Sequence, residues 1–210
     1  MIVKNKNNLI LIGYSGHSYG VIEAWHQIGG RILGYTETEP KAENPFNLKY
    51  LGDDSNLETY RNNAHFHIAF GNIQVRSELL SKLSAHNLKF QTIISPDAKV
   101  SKFSSLGNGS FVARGVCINP LVKTGENCIL NTACSIDHEV EIGDNCHIAP
   151  GAILAGGIKI LNNVFIGANA VVKENIVIGN NVIIGAGSVV LKNVPSGKTI
   201  IGNPGKIFDK

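Results

Sequence analysis

The segment SIDHEVEIG (Ser135–Gly143) sets one histidine, His138, between two carboxylates, Asp137 and Glu139, inside a long aliphatic run. A neutral imidazole accepts a proton near pH 7, and a neighbouring carboxylate orients the ring and stabilises the imidazolium that forms. The same trio could also ligate a metal or lie in a solvated turn. Catalytic zinc takes about three protein ligands. Only His138 and His147 among the seven histidines fall in this half of the chain, so the residue types favour proton transfer over zinc chemistry. The four cysteines, Cys117, Cys128, Cys134 and Cys146, have no CxxC spacing and suggest neither a zinc ribbon nor a redox pair.

The element that positions His138 is a repeat. Counting by sixes from Val100 to Val190 gives sixteen positions, all aliphatic except Thr124. Four residues after each comes a small or β-branched partner such as Val140, Cys146 or Ala152, and Gly, Asn and Asp cluster between them. A helix stripe needs a period near 3.6 and cannot hold six. Short strands joined by tight turns can, with Gly and Asn at the positive-φ positions. The period predicts a parallel β-helix of triangular section, eighteen residues per coil, with an unbroken register from 100 to 195 and about five coils. Cys128, Cys134 and Cys146 fall on inward positions and read as small core residues. Eighteen residues beyond His138 is Gly156, and beyond Glu139 is Gly157. The stack therefore predicts bare backbone over the imidazole, with room for substrate and an N–H for a developing oxyanion. Ala168 and Ala186 are also eighteen apart and share one axial column.

The first half alternates strand and helix. NLILIGYSGHSYGVIEAWHQIGG reads as strand, Gly-rich turn and helix, with Gly29 and Gly30 ending the helix. RILGYT is a second strand. KYLGDDSNLETYRN gives a short strand and a helix capped by Asp54 or Ser55, HFHIAFG a strand, NIQVRSELLSKLSAH a helix, and KFQTIIS a strand leading to Pro96. Such order implies a Rossmann-like parallel βαβ sheet with ligand loops at the strand C-termini. Gly13, Gly16 and Gly20 do not match the dinucleotide spacing GxGxxG, yet the turn still offers amides and a helix N-terminus to a phosphate. His17 stands in that turn. Thr36-Glu37 and Gly71-Asn72 occupy the other two ligand-loop positions. The domains are expected at 1–96 and 97–210.

A formal charge of +3 and the lack of a basic block argue against nucleic acid and suit a small anionic ligand. The apolar run at the N-terminus is too short for a signal peptide or membrane span, so the protein is expected to be soluble and cytoplasmic.

The combination of GYSGH, FGNIQVR, LNTACSIDHEVEIGDNCHIAPGAILAGG, IGAN, IGAG and IIGNPGKI resembles the hexapeptide acyltransferases over essentially the whole chain. More narrowly, it looks like the branch containing the nucleotide-amino-sugar N-acetyltransferases (bacillosamine and perosamine type) and the sialic acid O-acetyltransferases. The resemblance implies a left-handed β-helix, a homotrimer, and an acetyl-CoA site between subunits. It implies His138 as general base, Glu139 raising its basicity, and Asn131 nearby. His147 and Gly156 would meet the thioester end of acetyl-CoA, and the turn amides of Ala168 and Ala186 its pantetheine arm. Gly13, Ser15, Gly16, His17 and Gly71 would hold the nucleotide-sugar, with Thr36 and Glu37 standing where the family often has an acidic pair. The expected activity is acetyl transfer to a sugar amine by direct attack, without a metal. The alternative is O-acetylation of a sialic acid or another sugar hydroxyl.

Overall fold

The computed structural model describes residues 8–208. The N-terminal unit is a three-stranded parallel sheet in the order β2-β1-β3, with β1 Asn8–Ile12, β2 Arg31–Thr36 and β3 His65–Ile68. Helix α1 (Gly16–Gln27) connects β1 to β2, and α2 (Ile73–Leu83) follows β3. The apolar run of β1 is buried on both faces, as a parallel strand with helical crossovers requires, and in β3 His67 is buried along with Phe66 and Ile68. Tyr50 and Phe90 add single parallel bridges at the two sheet edges.

Two details differ from the sequence expectation. DSNLETY forms 3₁₀ turns, and its cap is Asp53, whose carboxylate accepts from the Ser55 amide, because Asp53 rather than Asp54 keeps extended backbone. KFQTIIS is not a strand of the first sheet. Only Phe90 bridges β3, and Ile93–Ile94 already pairs with Phe111–Val112 as the first rung of the β-helix, ahead of residue 97.

The second half is a three-faced parallel β-helix whose rungs are two residues long. The first face runs through Phe111–Val112, Ile129–Leu130, His147–Ile148, Phe165–Ile166 and Ile183–Ile184. The second face carries six rungs, including Ser135–Ile136 and Ile153–Leu154, and the third holds Glu141–Ile142 and Lys159–Ile160. Each rung points one residue inward. Val140, Ile142, Ile148, Ile158 and Ile166 fill the bore, and Cys128, Cys134 and Cys146 are buried among them. Burial pushes the Cys134 thiol up to about 12, while the Cys128 and Cys146 sulfurs donate to the Gly143 and Leu161 carbonyls.

The corners explain the polar residues of the repeat. Asn127, Asn145, Asn163 and Asn181 stack with φ between 53° and 58°, the left-handed region that Asn tolerates. Their amides form a ladder: Asn127 Nδ2 donates to Asn145 Oδ1 (3.0 Å) and Asn145 Nδ2 to Asn163 Oδ1 (2.9 Å). Eighteen-residue register holds as far as the Val172–Val190 pair and then slips. Val194, not Ser196, pairs with Ile178, so the last coil is two residues short. Val194 thereby takes the inward position that the polar Ser196 would have filled, and is buried. Thr199–Ile201 and Lys206–Ile207 form an antiparallel pair at that end.

Candidate active site

His138 lies in the corner between the second and third faces, because Ile136 and Val140 on either side are drawn into the core. The Asp137 carboxylate accepts from the His138 amide (2.7 Å) and from Asn119 Nδ2 (2.8 Å), and these bonds hold its pKa below the usual range. Asp137 therefore shapes the turn. The ring's partner is Glu139: Nδ1 donates to Glu139 Oε2 at 3.0 Å. This fixes the proton on Nδ1 and leaves the Nε2 lone pair available. Glu139 has φ +60, a conformation that costs a residue with a Cβ roughly 1–2 kcal/mol.

Gly156 sits over the imidazole as the period predicts. A Cβ there would lie 2.6 Å from His138 Cε1 and 2.7 Å from Nε2, so only glycine admits the ring. Gly157 donates its amide to the His138 carbonyl (3.0 Å). A notch of about 340 Å³ opens here, lined by Asp137, His138, Glu139, Gly156, Glu174 and Asn175.

Other expected site residues gather elsewhere. His17, Gly16, Gly71, Asn131 and His147 line a cleft of about 450 Å³ between α1 and the first face of the β-helix. His147 is 8% exposed. Its Nδ1 donates to the Gly71 carbonyl (3.1 Å), so Nε2 accepts from Asn131 Nδ2 (3.1 Å), and Asn131 Oδ1 is held by the Thr132 amide (2.8 Å). Burial is the main cause that lowers His147 to about 4 and His17 well below the ordinary histidine value. His17 Nε2 is shut off from solvent with no hydrogen-bond partner, and its ring meets Phe111 edge-on.

The Gly-rich turn does more than present amides. Gly13 (φ +99) donates to the Thr36 carbonyl, and a Cβ on it would strike the Phe70 ring. At the start of α1 the Ser15 amide donates to Ser18 Oγ (3.2 Å), and that hydroxyl donates to the Ser15 carbonyl (2.6 Å). Glu37 Oε1 accepts from the Tyr14 amide (3.0 Å) and pairs with Lys41 (3.2 Å), while Thr36 is buried and donates to Asp54 (2.7 Å). Thr36 and Glu37 are thus spent on the loop itself in this state. Ala168 and Ala186 stack in the corner between the first and second faces, joined through the Gly187 amide and the Ala168 carbonyl.

One chain therefore separates His138 with Glu139 and Gly156 from Asn131 with His147. His138 sits in the corner between the second and third faces, whereas His147 is on the first face and Asn131 at the corner that follows it. The sequence reading missed Arg76, which is 1% exposed beneath this cleft. Its signal was an arginine within the stripe Ile73, Leu80, Leu83 of α2. Among the described residues, no group of three His, Cys, Asp or Glu side chains could hold a metal, and no helix is long and apolar enough to cross a membrane.

A β-helix of hexapeptides behind a small parallel α/β unit defines a class, and the comparisons agree. Residues 122–156 and 157–192 match the bacterial transferase hexapeptide model, and residues 8–83 match the PglD N-terminal domain. Perosamine N-acetyltransferase from Caulobacter crescentus, solved as a histidine-to-asparagine variant with CoA and GDP-perosamine, is 31% identical with a TM-score of 0.92 over 98% of both chains. The acetyltransferase domain of PglB from Neisseria gonorrhoeae is 28% identical with a TM-score of 0.91, over 97% of this chain and 100% of that one. WeeI from Acinetobacter baumannii is 26% identical with a TM-score of 0.86, over 95% and 99%. A search of curated protein sequences gives no match. The chain belongs to the hexapeptide-repeat sugar acetyltransferases that carry a PglD-type N-terminal domain.

Proposed function

We propose that this protein transfers the acetyl group of acetyl-CoA to the amino group of a nucleotide-linked amino sugar, in the cytoplasm. The observation that carries the reading is the imidazole of His138, oriented by Glu139 under the bare backbone of Gly156. The amine attacks the thioester carbonyl while His138 Nε2 takes its proton, forming the C–N bond. The oxyanion is assigned to the Gly156 amide. The C–S bond then breaks, and the proton passes from Nε2 to the CoA sulfur. The buried thiols have no part in this direct transfer, so no acyl-enzyme forms.

The co-substrate fits the residues present. Ala168 and Ala186 would meet the pantetheine arm along their column, and His147 and Gly156 the thioester end. The nucleotide-sugar is assigned to Gly13, Ser15, Gly16, His17, Thr36, Glu37 and Gly71, and the ring of His17 would have to turn for its buried Nε2 to reach a sugar hydroxyl. Thr36 and Glu37 would have to exchange their present loop bonds to take part. Because one chain keeps the His138 notch apart from Asn131 and His147, the complete site is assigned to the junction of neighbouring subunits in a homotrimer. Similarity to an N-acetyltransferase solved with GDP-perosamine favours a sugar amine over a hydroxyl acceptor.

The test is to incubate the purified protein with acetyl-CoA and a panel of UDP-, GDP- and dTDP-linked amino sugars and follow CoA release. Acceptor-dependent release from one of them is expected. Equal release with the matched non-aminated sugars would remove the amine from the reading.

A further inference from the structure

The side chain missed by the sequence reading supplies a function of its own. Arg76 projects from α2 into the seam between the two halves and, among the described residues, meets no carboxylate. Its Nη1 donates to the carbonyls of Ile68 (2.5 Å) and Phe70 (3.1 Å), and its Nη2 to the carbonyl (3.0 Å) and side-chain oxygen of Asn127. Ile68 ends β3, Phe70 precedes Gly71, and Asn127 belongs to the corner ladder of the β-helix. One planar fork therefore grips the β3–α2 loop with one amino group and the β-helix with the other, a geometry that a point charge cannot span. Asn145 Nδ2, the next rung of the ladder, also donates to the Ile73 carbonyl (3.0 Å), so the same loop is tied down on both sides of Gly71.

The Gly71 carbonyl held there is the acceptor for His147 Nδ1. We propose that Arg76 is a positioning residue: by fixing the β3–α2 loop on the β-helix it aims the Gly71 carbonyl at His147, and so selects the tautomer whose Nε2 faces Asn131. A relay of fixed polarity follows, from Thr132 amide to Asn131 Oδ1, Asn131 Nδ2 to His147 Nε2, and His147 Nδ1 to Gly71. After burial, the charge of Arg76 is among the causes that keep His17, His67 and His147 neutral. The titratable and charged groups facing His147 among the described residues are His17 from α1 and Arg76 from α2, with Glu23 and Arg114 on the cleft wall and His67 of β3 acting on His17 behind them.

The inference concerns the ring itself, and only its bearing on turnover rests on the acetyl-transfer reading. The test is ¹⁵N NMR of the intact protein labelled at histidine, titrated from pH 8 to 4, with His147→Gln used for assignment. Wild type should show His147 protonated at Nδ1 and neutral until close to pH 4. Arg76→Met should give a mixture of tautomers with little net change of the titration midpoint, because the lost Gly71 bond lowers it and the lost charge raises it. Arg76→Lys keeps the charge without the fork, and should lose the fixed tautomer and lower the midpoint, since only the Gly71 bond is gone. A folded Arg76→Lys or Arg76→Met protein with the wild-type His147 tautomer would overturn the proposal. So would a wild-type ring protonated at Nε2, which needs no variant to fold. Acetyl-transfer assays of the same proteins, whatever their result, leave that outcome standing by itself.

Discussion

At the scale of single residues, the corner holding His138 keeps a residue in a conformation its backbone resists. The equivalent positions in the coils above are Gly157 and Asn175, both suited to positive φ, yet His138 is followed by Glu139 at φ +60. An exposed carboxylate gains little stability from pairing with a histidine. The strain is accounted for by the orientation of the ring. Glu139→Gly should therefore raise stability by up to about 1 kcal/mol in denaturant unfolding while lowering turnover, through loss of the Nδ1 acceptor. Unchanged turnover would remove Glu139 from the mechanism. Gly156 tests the other side of the ring. Gly156→Ala puts a methyl within van der Waals overlap of Cε1 and Nε2 and must displace the imidazole. Since that ring is exposed and can swing outward, stability should change by less than about 1 kcal/mol, with kcat falling at least tenfold. Both residues were legible in the sequence, because an eighteen-residue stack converts position into neighbourhood. Which carboxylate serves the ring was not legible, since Asp137 and Glu139 flank it equally in sequence, and only the turn hydrogen bonds tell them apart.

At the scale of elements, the repeat writes its own register, and the first half does not. Inward Ile, Leu and Val every six residues leave a single solution for the faces. The departure at Val190–Val194 shows what overrides period: burying Val194 two residues early avoids placing Ser196 in the bore. In KFQTIIS the apolar pattern specifies a strand but not its partner, and Ile93 finds the open end of the β-helix in place of the small sheet. The corner ladder gives a sharp test. Asn145 supplies a left-handed backbone and three amide hydrogen bonds, one of them to Ile73 across the domain seam. Asn145→Gly keeps the backbone geometry and should cost about 1–3 kcal/mol through the lost bonds. Asn145→Ala adds left-handed strain and should cost about 1–2 kcal/mol more. Urea unfolding of the two variants compares them directly, and an alanine no worse than glycine would show that the corner relaxes.

At the scale of the whole molecule, the seam between the halves buries histidines and an arginine rather than a purely apolar contact. His67 is held near 3 and His147 near 4, mainly by burial, against an ordinary value of 6.5. Their folded values are depressed, so the unfolded chain takes up protons first. The stability they confer is complete above pH 6.5, and falls as pH drops toward 3–4, by about 1.4 kcal/mol per pH unit for each group in its window. Unfolding midpoints at pH 7.5 and 5 should show this decline, and His147→Gln should reduce its slope. A flat profile would mean that the seam admits water. The same layout separates His138 from Asn131 and His147 within one chain, which period alone could not reveal, because it relates residues along a column and not between corners. The central claim remains that His138 removes the proton from the attacking amine. Its most direct measurement is kcat/KM of His138→Ala against wild type, with acetyl-CoA and the accepted nucleotide-amino-sugar. The account predicts a loss of about 100-fold or more in a variant that folds normally and still binds CoA. Turnover within a factor of two of wild type would contradict it.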